Sequence, residues 1–104
     1  LMRPSLYNAY HDIINTSQSS ESSTQFDVVG PVCETGDFIG KDRMLSLEEG
    51  NVLAVVDVGA YGMSMSSNYN SRVRPVELLV DENKIIEIRK RENFNDLIRG
   101  ESII

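Results

Sequence analysis

The sequence predicts a mainly β domain, a small antiparallel β-barrel or sandwich with short peripheral helices. Two observations carry that reading. Valine- and isoleucine-rich segments at 26–34, 52–58 and 76–90 have the composition and spacing of strands. Helical spacing is confined to one short segment near each end, and no internal repeat is present.

The first element is read at residues 4–14. Pro4 suits a first helical turn, where its missing N–H costs nothing. Leu6, Tyr10, Ile13 and Ile14 then recur on one helical face. Arg3 precedes proline, so it is expected to be extended and to sit just outside the helix. Residues 16–24 hold no apolar side chain and many hydroxyls that compete for backbone hydrogen bonds, which predicts a mobile, serine-rich surface loop.

Strands are expected beyond it. Phe26 to Glu34 is rich in valine and carries Gly30-Pro31, the mark of a bulge or bend. Residues 35–51 are polar and glycine-bearing and read as a long loop. Val52 to Val58 is nearly continuously apolar, as in a strand covered on both faces. Gly59-Ala60-Tyr61-Gly62 ends it with a turn or a close backbone approach. Residues 76–80 and 84–90 form a hairpin through Asp81-Glu82-Asn83, with Val76, Leu78 and Val80 alternating on one arm and Ile86 and Ile88 on the other. Asn93 caps a last helix, Phe94 to Arg99, which Gly100 stops.

Composition bounds the function. The chain has 104 residues, enough for one domain, with 40% apolar and 25% charged residues. Without tryptophan, its modest core must rest on Val, Ile and Leu. A net charge of −6 argues against nucleic acid, whose phosphates need a surplus of Lys and Arg. The late basic run Lys84, Arg89, Lys90 and Arg91 is broken by Glu87 and Glu92 and reads as a solvated strand face. One cysteine excludes an intrachain disulfide and a multi-cysteine metal site, and fits a reducing compartment. No apolar run approaches the length of a membrane helix, and no charged-then-apolar leader opens the chain. Leu1-Met2-Arg3-Pro4 reads as a continuation of something longer.

Five residues are candidates for chemistry. Cys33 and Glu34 are adjacent at a strand end entering the loop. An ordinary thiol is protonated near neutrality and can donate without activation, whereas a small buried cysteine beside a surface glutamate is the plainer alternative. The one histidine, His11, shows no partnering pattern that would make Cys33 a nucleophile, and reads as structural or surface. Arg3 and Tyr7 stand four apart around a helix start; a guanidinium fork with a phenol suits a carboxylate, or else an arginine simply packs on a tyrosine. Tyr61, between glycines, either presents its ring and hydroxyl to a ligand or is a core tyrosine. No glycine-rich phosphate loop, paired catalytic carboxylates or metal-ligand spacing occurs.

Three stretches together resemble one family. Arg3-Pro4-Ser5-Leu6-Tyr7-Asn8-Ala9-Tyr10-His11 is similar to the opening of the C-terminal region of diaminopimelate decarboxylases. Val28 to Arg43, with Cys33-Glu34-Thr35-Gly36-Asp37 at its centre, resembles that family's most distinctive segment. Gly59-Ala60-Tyr61-Gly62-Met63-Ser64-Met65-Ser66-Ser67-Asn68-Tyr69-Asn70-Ser71-Arg72, followed by Arg74-Pro75, resembles its third signature. The match spans nearly the whole chain except the serine-rich loop and the last residues.

The resemblance implies a two-domain enzyme, a (β/α)8 barrel followed by a β-barrel like that of alanine racemase, with residues 1–104 in the second part. It implies pyridoxal 5′-phosphate as cofactor, attached to a lysine outside this chain, since Lys41, Lys84 and Lys90 stand in no matching context. The isolated chain is therefore expected to be inactive. It further implies meso-diaminopimelate as substrate, L-lysine and CO2 as products, and a homodimer with shared active sites. The location implied is cytoplasmic, or plastidic in a plant or alga. By position, Cys33 resembles the proton donor offered to the partner's cofactor, and Glu34 the group that grips the distal ammonium. Arg3 and Tyr7 resemble residues that hold a substrate carboxylate, and Tyr61 the tyrosine against the cofactor phosphate and the substrate. Sister decarboxylases acting on arginine, ornithine or carboxynorspermidine tend to have aspartate at the position of Glu34. A non-catalytic decarboxylase-like binding module has no reason to keep a proton donor.

Overall fold

The computed structural model describes residues 2–104, which fall into two compact units, the first ending at Met65 and the second spanning Ser66–Ile104. The expected mainly β, antiparallel character is borne out. Among the described residues the strands pair in three two-stranded antiparallel sheets, and no closed barrel forms.

In the first unit, helix α1 spans Arg3–Tyr7, with Pro4 in its first turn and buried. It is shorter than the sequence implies. Asn8 adopts a left-handed conformation (φ 53°) and ends the helix, a position that asparagine tolerates better than most residues. Ile13 and Ile14, expected on the helix, instead belong to strand β1 (Ile13–Asn15), which pairs with β4 (Leu53–Val55) in the register Ile13 to Val55. β-Branched side chains lose less freedom in a strand than in a helix, and the pairing decides between them. The strand expected over 52–58 is reduced to β4, and Asp57 turns the chain with φ 59°.

Strand β2 (Thr24–Val29) pairs with β3 (Phe38–Leu45), the longest strand, which lies inside the segment expected to be a loop. The reason is a bulge. Phe26 faces Arg43 and Val28 faces Gly40, so Lys41 and Asp42 together oppose Asp27. Asp42 takes φ 55° and its N–H donates to Asp27 Oδ1 at 2.9 Å. The extra residue breaks the two-residue alternation by which a strand is recognised.

The core of this unit lies where β1, α1 and β3 meet. Ile13 and His11 are buried there, and Gly40 is buried beneath them. A Cβ at Gly40 would fall 2.8 Å from Ile13 Cδ1 and 2.8 Å from Arg43 Nε. His11 Nδ1 lies 3.1 Å from the Val56 carbonyl oxygen, so the ring extends the β1–β4 pairing rather than serving the surface. The serine-rich segment is tied to the rest of the unit: Ser46 Oγ donates to the Glu21 carbonyl, and Ser19 Oγ donates to Glu48 Oε1 at 3.2 Å.

In the second unit, β5 (Glu77–Asp81) and β6 (Lys84–Arg89) form the expected hairpin, with Asp81 opposite Lys84 and Glu82 at φ 52° in the turn. Helix α2 spans Phe94–Leu97 and carries the expected cap. Asn93 Oδ1 accepts from the Asn95 N–H and Asp96 Oδ2 accepts from the Asn93 N–H, each at 2.9 Å, a reciprocal box that satisfies two helix-end donors. Arg74 ties the start of this unit to the residue just before the cap. Its Nη1 donates to Asn68 Oδ1 at 2.8 Å and pairs with Glu92 Oε1 at 3.1 Å, and its backbone N–H donates to Glu92 Oε2 at 2.8 Å. No helix among the described residues is long and apolar enough to cross a membrane.

Candidate functional site

Two groups of the predicted residues emerge, on separate elements of the first unit. The first joins α1 to the turn after β4. The Tyr61 and Gly62 N–H groups both donate to the Val58 carbonyl oxygen, at 3.2 and 2.6 Å, winding residues 58–62 into a tight turn. A Cβ at Gly62 would stand 2.7 Å from that oxygen, so only glycine fits here. The turn sets the Tyr61 ring 4.9 Å from Arg3 Cζ, a cation–π contact.

Arg3 and Tyr61 line a cavity of about 200 Å³ together with Pro4, His11, Val55 and Val58. Its walls are mostly apolar, with the guanidinium as their cation. Arg3 Nε is buried and has no hydrogen-bond partner among the described residues. A buried donor left unpaired costs about 1–3 kcal/mol, so an anionic group reaching it would be strongly favoured. Arg3 is half-buried and is the first residue of α1, not outside the helix as its place before proline implied. Tyr7, one helical turn on, is 70% exposed, and residues four apart share a helix face.

The second group is the excursion between β2 and β3. Val29 still pairs with Phe38, and residues 30–37 leave the pairing between them. Cys33 and Glu34 both lie on its exposed part. The Gly30 N–H donates to the Asp37 carbonyl at 2.8 Å and closes its base. The thiol is thus accessible, not the small buried cysteine that was its plainer alternative. Cys33 and Glu34 are not among the residues that line the Arg3–Tyr61 cavity.

Sequence reasoning passed over two residues that shape these groups. His11, read as structural or surface, is buried and lines the cavity; its helical surroundings hid the strand that buries it. Asp37 holds the excursion through its side chain as well as its backbone, and its place within a polar stretch gave no signal of that. No cluster of three or more His, Cys, Asp or Glu suited to a metal ion occurs among the described residues.

The first unit thus presents an arginine–tyrosine wall and, on a separate element, a thiol–carboxylate loop between antiparallel strands. The chain belongs to the family of the C-terminal sheet domain of pyridoxal-dependent decarboxylases, whose model matches residues 1–59. The diaminopimelate decarboxylase of Pseudomonas fluorescens is 49% identical over 104 residues, covering 100% of this chain and 25% of that protein. The crystal structure of diaminopimelate decarboxylase from M. jannaschii superposes with a TM-score of 0.90 at 44% identity, over 99% of this chain and 24% of that one. The diaminopimelate decarboxylase of Helicobacter pylori, solved in complex with L-lysine, gives 0.84 at 51% identity over 93% of this chain and 24% of that one. The chain thus spans about a quarter of the length of the relatives it matches.

Proposed function

We propose that this chain is the C-terminal part of a pyridoxal-phosphate-dependent decarboxylase that converts meso-2,6-diaminopimelate to L-lysine and CO2. Residues 1–104 belong to its β domain, and the barrel that carries the cofactor lysine lies upstream. The enzyme works in the cytoplasm as a homodimer. Likeness to diaminopimelate decarboxylases along the whole chain supports the substrate, as does glutamate rather than aspartate at position 34. The hairpin agrees with a domain meant to be covered, since Leu78, Val80, Ile85 and Ile88 are all more than half exposed.

The observation that carries the reading is the buried, unpartnered Arg3 Nε beside Tyr61 in an apolar-walled cavity. Such a place suits an anionic, partly apolar ligand, which fits both the substrate and the cofactor. Tyr61 would lie against the cofactor phosphate, and Arg3 with Tyr7 would hold a substrate carboxylate through a guanidinium fork and a phenol. Pyridoxal phosphate, when bound, supplies the electron sink that lets the α carbon lose its carboxylate.

The residues of this chain do the rest. The Glu34 carboxylate pairs with the distal ammonium and so reads the length of the substrate. The Cys33 thiol gives its proton to the α carbon after CO2 has left, and takes one back from solvent. An exposed loop between strands reaches a neighbouring subunit more readily than a strand centre does. The separation of Cys33 and Glu34 from the Arg3–Tyr61 cavity agrees with a thiol that serves the partner's site.

The test is an assay of the full-length enzyme on meso-diaminopimelate, following CO2 and lysine together. Equimolar release of both is expected. Turnover of arginine or ornithine in preference would assign the enzyme to a sister activity, and no turnover of any of these would leave a binding module.

A further inference from the structure

The loop that carries Cys33 is organised by one side chain. Asp37 Oδ2 accepts a hydrogen bond from the Val32 N–H at 2.7 Å. The Asp37 backbone N–H donates to the Glu34 carbonyl at 3.0 Å, and its own carbonyl accepts from the Gly30 N–H at 2.8 Å. Cys33 therefore sits between two pinned peptide groups, with Val32 held by the Asp37 side chain and Glu34 by the Asp37 main chain. Asp37 is half-buried, while Cys33, Glu34 and Thr35 are exposed.

Gly30 makes this arrangement possible. A Cβ built at Gly30 would fall 2.2 Å from both carboxylate oxygens of Asp37. Real Cβ atoms do not approach so closely, so any side chain at position 30 would evict the carboxylate from its place over the loop. Gly30 has no left-handed φ; its smallness, rather than its conformational freedom, is what the site uses.

We propose that Asp37 is a positioning residue for the Cys33 thiol, and that Gly30 is the gap its carboxylate needs. The inference rests on the reading of Cys33 as the proton donor. Without the Val32 anchor, the exposed loop gains backbone freedom that must be lost again each time the thiol meets the α carbon. A misplacement of about 1 Å costs roughly a hundredfold in rate. The neutral amide of asparagine keeps an acceptor oxygen for the Val32 N–H, so the role depends on geometry and not on charge.

The experiment uses the full-length, cofactor-loaded enzyme with Asp37→Ala, Asp37→Asn, Gly30→Ala and the double variant Asp37→Ala/Gly30→Ala. Reactions are run in D2O, where the carbon that loses CO2 gains one deuterium. Asp37→Ala is expected to lower kcat by roughly a hundredfold and to scramble the configuration of the new C–D bond, because solvent then competes with a displaced thiol. Asp37→Asn should restore most of the rate and a single configuration. Gly30→Ala should match Asp37→Ala, and the double variant should be no worse than either single one, because both remove the same contact.

Wild-type kcat and a single configuration in both Asp37→Ala and Gly30→Ala would overturn the proposal, as would failure of Asp37→Asn to rescue. If Asp37→Ala does not fold, Gly30→Ala makes the same test with the carboxylate still present. Cys33→Ala separates the two levels. Wild-type turnover in that variant removes Cys33 as donor and the inference with it. A loss there, together with normal Asp37 variants, leaves the donor in place and removes only Asp37.

Discussion

The Arg3 guanidinium lies 4.9 Å from the centroid of the Tyr61 ring, joining the first helix to the turn that follows β4. The contact leaves Arg3 Nε buried and without a partner among the described residues. One donor of the guanidinium thus stays unspent beside the ring. Arginine suits this place because its planar fork stacks and binds a carboxylate at two points, neither of which lysine can do.

Replacing Arg3 should therefore harm binding more than chemistry. Hydrogen bonds to charged groups contribute about 1.5–3 kcal/mol, so Arg3→Ala should lower kcat/KM of the full-length enzyme roughly ten- to a hundredfold, mostly through KM. Arg3→Lys keeps the charge and should recover only part of the loss. Full recovery with lysine, measured by steady-state kinetics, would remove the stacked fork from the account.

Glu34 should set the choice of substrate. Removing one partner of a desolvated charge pair costs about 3–5 kcal/mol, so Glu34→Ala should cost several hundredfold or more in catalytic efficiency toward meso-diaminopimelate. The loss should be much smaller for an analogue without the distal amine. Equal losses on both substrates would show that Glu34 serves the loop and not the ligand.

Gly62→Ala tests the turn that presents Tyr61. The new methyl would meet the Val58 carbonyl oxygen at 2.7 Å, and overpacking of this kind costs about 1–3 kcal/mol. Thermal unfolding should show a lower midpoint, with a weaker hold on substrate. At Gly59, where a Cβ meets nothing within 4 Å, the same substitution should be nearly silent. Equal effects at the two positions would contradict the turn geometry.

Acid should loosen the second unit first at two carboxylates. The Arg74 backbone N–H, Asn68 and the Arg74 guanidinium hold Glu92 below the usual glutamate range. The Asn93 backbone N–H, with Arg99 and Lys90, lowers Asp96. Above about pH 4.3, the ordinary glutamate value, Glu92 is ionised in the folded and unfolded chain alike, and its stabilisation is complete. As pH falls, the unfolded chain takes up the proton first, and the stabilisation is lost progressively until the folded, lower value is passed. Glu92→Gln should thus be less stable than wild type at pH 7, with the gap in unfolding midpoint closing in acid. A gap that persists below pH 3 would assign the effect to packing.

The parts legible in the sequence were those that local chemistry decides. Asn93 announced its cap through its own side chain, and the hairpin was visible because apolar residues alternate along 76–80 and 84–90 on either side of the polar turn Asp81-Glu82-Asn83. The strand Phe38–Leu45 was not legible, because Lys41, Asp42 and Arg43 interrupt its apolar pattern and the bulge at Asp42 breaks its period. Ile13 and Ile14 kept helical spacing with Leu6 and Tyr10, yet Asn8 ended the helix and pairing with β4 claimed them. The candidate site residues could be named from motifs, but not how they divide. That Arg3 meets Tyr61, while Cys33 and Glu34 occupy a separate loop, depends on long-range packing that no local pattern encodes.

The central claim is that the Cys33 loop of one protomer completes the active site of its partner. A mixed dimer tests it directly, with one full-length chain carrying Cys33→Ala and the other lacking its cofactor lysine. In a shared arrangement, one site combines both defects and the other combines the intact lysine with the intact thiol, so about half of the wild-type turnover should survive. If thiol and lysine of the same chain form each site, neither is whole, and turnover should fall to the background of the two parent variants, which would contradict the account.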